Sequence, residues 1–181
     1  MTATEIPYTG VGQTGLAFSP AGPERAFSRI EMRRVSNQLS MVEIRSGLHG
    51  VRLLRLGGSA FHGFVRDQYT TLPDIQNRPL HMWLDVEWSY VQSEMAFQNG
   101  EVTKKVSGIV RSVFDGFESG SIQQVIYQIG TRILEDLPTI EQVDLEANNR
   151  TWDTVAEKGD HIGVYTDPRP PYGCLGLSLR R

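Results

Sequence analysis

One stretch of the sequence, RPLHMWLDVEWSY at residues 78–90, alternates with the two-residue period of a β-strand. Every second side chain is large and apolar, while the other face carries a histidine, a tryptophan, two acids and a serine. The stretch therefore predicts a strand with one buried face and one wetter face. The apolar positions are Leu80, Met82, Leu84, Val86, Trp88 and Tyr90.

The residues before this strand alternate in shorter pieces. RIEMRR, QLSMVEIR and VRLLRL are separated by VSN and SGLHG. Short alternating segments with turn-prone separators are typical of antiparallel strands. We therefore predict that the chain turns at both separators.

After the long strand the apolar period changes to three and four residues, which predicts two helices. The first helix ends at ESGS, residues 118–121. The second begins with Ser121 as N-cap and Gln124 three residues later, a capping-box pattern, and continues until Pro138. The first stripe comprises Val102, Val106, Ile109, Val110, Val113, Phe114 and Phe117, and the second comprises Ile122, Val125, Ile126, Ile129 and Ile133.

Strand alternation returns in IEQVDLEA, residues 140–147, and in CLGLSL, residues 174–179. Strands, two helices and two further strands predict an α+β fold, an antiparallel sheet with a helix pair packed on one face. Residues 1–24 show neither period and are rich in glycine and proline. They predict a flexible lead before a single domain at residues 25–181.

Composition excludes several classes of function. A net charge of −3 without a cluster of basic residues argues against a nucleic-acid partner, and no apolar run approaches the roughly 20 residues of a membrane-spanning helix. The start lacks an export signal and Cys174 is the single cysteine, so we expect a cytoplasmic protein. The four histidines lie in four different predicted elements, and none has an acid at ligand spacing, so no metal site is predicted.

Three features suit a planar anionic ligand. Arg78 offers a five-donor fork where a loop enters a strand. Ile122 and Gln123 lie in the first turn of a helix, where backbone N–H groups are free. Phe61, in a glycine-punctuated loop, offers a flat face for stacking. Each of these residues is also compatible with an ordinary structural role on the surface or in the core. The residues alone therefore leave the binding role and the structural role both open.

The segment FHGFVRDQYTTLPDIQNR resembles the central signature of the uricases, the cofactor-independent urate oxidases. The resemblance continues through DVEWSY, SIQQVIYQIG, LPTIEQVDLEANNRTW and DPRPPYGCLGLSLRR and covers roughly residues 25–181. It implies a tunnelling fold, in which sheets from several subunits assemble into a barrel with active sites between them. It also implies oxidation of urate by O2 to 5-hydroxyisourate and hydrogen peroxide, without a cofactor.

By its motifs, the resemblance assigns roles to six residues. Phe61 resembles the aromatic that stacks on urate, Arg78 the arginine that clamps the purine, and Ile122 and Gln123 the backbone donor and the amide that read its edge. Asn149 resembles the asparagine above the ring where dioxygen or water sits. Thr151 stands where many family members carry a relay histidine, and a hydroxyl is a much weaker base at neutral pH.

Uricases contain two such units in tandem, and this chain resembles the second. The family's proton-relay lysine and its threonine partner belong to the first unit, and none of Lys104, Lys105 and Lys158 matches that lysine. We therefore expect an oligomer, with itself or with an N-terminal uricase-like chain. The chain is then either the urate-binding half of a urate oxidase or a catalytically silent module that assembles and binds a purine. A weaker alternative is another purine or pterin enzyme of the same fold.

Overall fold

A computed structural model describes residues 2–5, 8–10, 18–20, 22–55, 58–70, 73–98, 100–116, 118–150, 154–158, 162–166 and 173–181. Its main element is an antiparallel sheet of six strands in the order β1-β4-β5-β6-β7-β10. Two small hairpins, β2-β3 and β8-β9, accompany it. The strands are β1 Thr2–Glu5, β2 Tyr8–Gly10, β3 Phe18–Pro20, β4 Arg25–Val35, β5 Gln38–Arg55, β6 Leu80–Tyr90, β7 Ile140–Arg150, β8 Thr154–Lys158, β9 Ile162–Tyr165 and β10 Gly173–Arg180, and the helices are α1 Met95–Gln98, α2 Val102–Gly116 and α3 Ile122–Asp136.

The alternating stretch forms the strand β6, as predicted. All six of its apolar positions are buried, and Met82, Val86 and Trp88 have no solvent exposure. It pairs antiparallel with β5 on one side and β7 on the other. The core therefore lies between one face of the sheet and the helices that cover it.

The first predicted turn is confirmed and the second is wrong. Ser36 and Asn37 connect β4 to β5 with φ angles of 47° and 70°, the conformation of a tight hairpin turn. At SGLHG, by contrast, β5 continues through an irregularity in its pairing with β6. Gly50 absorbs it with a φ of 72°, and its N–H donates to Asp85 Oδ1 at 2.7 Å. The glycine marks a bulge rather than a strand end.

Both predicted helices are present. Ser121 caps α3: its backbone is extended, and its Oγ accepts from the N–H of Gln124 at 3.3 Å. Ser121 is thus confirmed as the N-cap. Gln124 Oε1 accepts from the N–H of Gly120 at 2.9 Å, one residue before the cap, rather than from the N–H of Ser121 as in a regular capping box. The apolar stripes of α2 and α3 pack on the sheet face that carries the buried residues of β6.

Several elements of the fold were not predicted, among them the β2-β3 hairpin and the short helix α1. Residues 2–5 form β1, which pairs with β4 at one edge of the sheet, although the sequence shows no strand period there. The β8-β9 hairpin also lies in a region without clear alternation. The domain division at residue 25 stays a prediction. Among the helices of the described residues, none has the length and apolar character needed to cross a membrane.

Candidate functional site

The end of β5, the start of β6 and the end of β7 all lie at one end of the sheet. In the pairing register Arg55, the last residue of β5, lies opposite Leu80, the first residue of β6. Two residues further along β6, Met82 lies opposite Asn149 near the end of β7. The loop that joins β5 to β6 therefore lies at the same end of the sheet as the end of β7. Binding residues are commonly held on loops that a rigid scaffold, such as this sheet, positions.

Phe61 and Arg78 lie side by side within this loop. Phe61 exchanges backbone hydrogen bonds with Ile75 at 2.7 and 2.9 Å, and the N–H of Arg78 donates to Ser59 O at 2.8 Å. The guanidinium carbon of Arg78 is 5.4 Å from the centroid of the Phe61 ring. That ring also stacks on Phe64, with centroids 4.5 Å apart. The structure thus brings together the two residues predicted to stack and to clamp.

Arg78 carries a charge that the described part of the chain does not neutralise. Its Nε is buried, and no described residue accepts a hydrogen bond from it. Burial alone lowers the pKa of the guanidinium from its ordinary value. A buried polar group without a partner costs free energy, and an anionic ligand would remove that cost. The fork is therefore suited to an anion that lies beside the Phe61 ring.

The start of α3 is attached to the same loop. The N–H of Ala60 donates to Ser119 O at 2.8 Å, and the N–H of Ser119 donates to Gly58 O at 3.2 Å. Two residues after this bridge, Ser121 caps α3. Ile122 follows with a buried side chain, and Gln123 follows with an exposed one. The exposed amide and the free N–H groups of the first turn thus emerge beside the attached loop.

The structure gives fewer contacts for the other residues singled out in the sequence. Asn149 lies on β7, half-buried, opposite Met82 and Gly173, so strand register brings it to the same sheet end as Arg78. Thr151 lies outside the described residues. Lys104 and Lys105 are exposed on α2, and Lys158 is the last residue of β8.

Residues 66–70, the described part of the RDQYTTL run in this loop, have a structural role that the sequence alone does not show. Asp67 Oδ1 accepts from the backbone N–H of Tyr69 at 2.8 Å and of Thr70 at 2.9 Å, and from the Thr70 hydroxyl at 3.0 Å. The hydrogen bond from Tyr69, then that from the Thr70 hydroxyl, lowers the pKa of this carboxyl. Such a side-chain turn fixes the loop tip locally.

Sequence reasoning missed the arginines around this end of the sheet. Arg55 reaches from the end of β5 to the loop and to α2. On the sheet face away from the helices, Arg52 and Arg150 place their guanidinium carbons 4.4 and 3.6 Å from the centroid of the Trp83 ring. In the sequence these arginines look like ordinary polar positions of alternating strands, and only register shows that they converge.

A sequence model described as Uricase matches residues 44–175. A uric acid degradation bifunctional protein of Bacillus sp. (strain TB-90) is 41% identical over 165 residues, which cover 87% of this chain and 33% of that protein. A uricase of Halalkalicoccus jeotgali is 38% identical over 194 residues, covering 100% of this chain and 63% of the other. The chain belongs to the uricase family.

Solved structures of this family have the same fold. The urate oxidase of Bacillus sp. TB-90 superposes with a TM-score of 0.89 at 38% identity, over 99% of this chain and 64% of that one. The predicted α+β tunnelling fold is thereby confirmed. The chain spans about one third to two thirds of the length of the uricase relatives named above.

Proposed function

We propose that this chain supplies the urate-binding half of a urate oxidase site. The observation that carries the proposal is the pairing of Arg78 with Phe61: a partly buried guanidinium, whose Nε has no hydrogen-bond partner among the described residues, lies 5.4 Å from an aromatic ring. A flat, anionic ring stacked on Phe61 would present its acceptors to that fork. Urate has this shape and charge.

Each residue of the site then has a separate role. The Arg78 fork neutralises the urate charge and fixes the plane of the ring through paired hydrogen bonds. Stacking on Phe61 contributes about 0.5–1.5 kcal/mol beyond burial of its area. The Gln123 amide offers a donor and an acceptor to the purine edge, and the N–H of Ile122 offers a second donor.

The reaction itself requires few protein groups. Urate loses a proton, and the electron-rich dianion transfers two electrons to O2, so that urate, O2 and water give 5-hydroxyisourate and hydrogen peroxide. Urate is the reductant, and we assign no cofactor to the step. Asn149 holds O2 or water above the ring, and the hydroxyl of Thr151 relays a proton. The protein contributes orientation and electrostatic stabilisation.

Completing the site requires a second unit. We propose that the proton-relay lysine and threonine come from a unit resembling the part of the relatives that this chain does not cover, in a homo-oligomer or a hetero-oligomer. Sheets from neighbouring subunits then form the barrel and cover strand edges that would otherwise promote aggregation. The single cysteine supports a cytoplasmic location.

Two features favour a second candidate, a catalytically silent module that binds a purine. Thr151 replaces the histidine common in the family, and the lysines described on α2 are exposed on a helix.

The deciding experiment follows urate absorbance and peroxide release. It uses the purified chain alone and the chain co-expressed with an N-terminal uricase unit. Turnover in the second sample supports the oxidase. Urate binding without turnover in either sample would leave only the silent module.

A further inference from the structure

Arg55 makes an unusually dense set of contacts for a residue at the end of a strand. Its Nη1 donates to the carbonyl oxygen of Phe114, in the last turn of α2, at 2.8 Å. Its Nη2 donates to Gly58 O at 3.0 Å, to Ser59 Oγ at 3.0 Å and to Ser119 Oγ at 3.3 Å. Its Nε lies 3.3 Å from Ser59 Oγ. One guanidinium thus joins β5, the loop, α2 and the turn before α3.

The two serines that Arg55 holds are the residues that attach the loop to the start of α3. Ser59 and Ser119 are 2% and 5% exposed and pair with each other as an isolated bridge. Ser59 O also accepts from the N–H of Arg78 at 2.8 Å. A displacement of Ser59 is therefore passed directly to Arg78, and a displacement of Ser119 to the helix cap.

The chemistry of these contacts suits an arginine better than a lysine. The acceptors lie on several sides of a planar group, which matches the fixed donor geometry of a guanidinium, whereas a lysine has a single point charge. The Phe114 ring lies 5.4 Å from the guanidinium carbon. Burial lowers the pKa of Arg55, and the charges of Asp115 and Glu118 oppose that shift. The side chain is partly buried, and because a guanidinium stays protonated in proteins it remains a charged donor.

We propose that Arg55 is a positioning residue for the urate site. It holds the loop with Phe61 and Arg78 against the helix start with Ile122 and Gln123, so that the stacking face, the clamp and the edge-reading groups share one geometry. Arg55 itself does not touch the ligand. The ligand in this inference rests on the proposed function, whereas the contacts of Arg55 do not.

The test compares Arg55→Met and Arg55→Lys with Arg132→Met, in the full chain assembled with an N-terminal uricase unit. Arg132 is a matched control, because it is exposed on α3 and pairs only loosely with Asp136, at 3.8 Å. Two measurements are made: urate affinity without oxygen, and amide hydrogen exchange. The informative amides are those of Ala60 and Arg78 in the loop and of Ile129 in the core of α3.

We expect Arg55→Met to weaken urate binding about tenfold or more, since small displacements of binding groups are costly. Arg55→Lys should recover part of that loss, and Arg132→Met should change affinity less than about twofold. Exchange should accelerate at Ala60 and Arg78 and stay unchanged at Ile129. Adding Arg55→Met to the Arg78→Met variant should weaken urate binding much less than Arg55→Met does in the unmodified chain, because both changes remove the same clamp.

Equal urate affinity of the Arg55→Met variant and the unmodified chain would overturn the inference. So would exchange that accelerates equally in the loop and at Ile129, because that pattern indicates general destabilisation. If Arg55→Met does not fold, Ser59→Ala and Ser119→Ala remove acceptors of the same contacts, and the same criteria apply. An unmodified assembly that binds no urate would overturn the proposed function, and exchange alone would then decide whether Arg55 holds the loop on the helix.

Discussion

Arg78 is expected to weaken the stability of the protein while it strengthens ligand binding. Among the described residues nothing accepts a hydrogen bond from its buried Nε, and burial is the sole cause of its lowered pKa. Arg78→Met keeps most of the side-chain volume beside Phe61 and removes the charge. Relief from burying an unpaired charge should leave the unfolding free energy unchanged or raise it by up to about 1 kcal/mol.

The same substitution should weaken urate binding. Loss of a charged hydrogen-bond partner costs about 1.5–3 kcal/mol, which corresponds to an increase in Kd of roughly 10- to 150-fold. Urea denaturation measures the first effect, and isothermal titration with urate in the absence of oxygen measures the second. The two effects have opposite signs, which distinguishes a ligand clamp from a structural arginine.

Arg66 in the same loop provides the control. It is half-exposed, pairs with Asp74 at 3.1 Å and lies 4.9 Å from the centroid of the Phe64 ring. Arg66→Met should cost up to about 1 kcal/mol of stability and leave urate affinity unchanged. The reasoning is refuted if Arg78→Met destabilises the protein by more than Arg66→Met does, or if it leaves the urate Kd unchanged.

Two further predictions concern stability. Gly130→Ala would place a Cβ 2.7 Å from Leu179 Cδ1 and 3.0 Å from Leu145 Cδ1, so the free energy of unfolding should fall by roughly 1 kcal/mol net. At Gly108 a Cβ would meet none of the described atoms within 4 Å outside its own helix backbone, so Gly108→Ala should raise the free energy of unfolding by about 0.5–1 kcal/mol. Urea denaturation measures both changes. The pKa of His81 is lowered first by burial and then by the charges of Arg150 and Arg52. His81 therefore binds a proton more readily in the unfolded chain than in the folded protein. Stability should therefore fall as the pH drops below about 6.5, and His81→Gln should flatten that slope in denaturation curves at a series of pH values.

Local periodicity predicted the centre of the fold well, because burial decides those positions. The alternation of β6 and the stripes of α2 and α3 reflect a single buried face, and Ser121 caps α3 through contacts within four residues. Prediction failed where distant residues decide the structure. At Gly50 the strand continues because Asp85 on the neighbouring strand accepts its N–H, and residues 2–5 become a strand because β4 offers a free edge.

The residues alone marked four members of the candidate site, but only family resemblance predicted a role for each. Phe61 and Arg78 are 17 positions apart, and nothing in their spacing shows that the loop folds back through the pairing of Phe61 with Ile75. Arg55 was missed for a related reason. Its partners lie in three different segments of the chain, so its role exists only after the sheet, the loop and both helices have assembled.

Arg45 and Arg78 are both partly buried, but they differ in whether the described protein supplies a counter-charge. Arg45 is partly buried, yet its pKa is raised: burial lowers it, but the hydrogen bond and charge of Asp144, followed by the charges of Glu43 and Glu87, outweigh that effect. Arg78 is also partly buried and has no such carboxylate among the described residues, so its pKa is lowered. Glu43 stands two residues before Arg45 in the sequence, whereas Asp144 and Glu87 lie on other strands and become neighbours of Arg45 only in the fold. A buried cation whose counter-charge is supplied by the protein stabilises the fold, whereas one without a counter-charge costs stability and is best explained by a ligand that brings the missing charge.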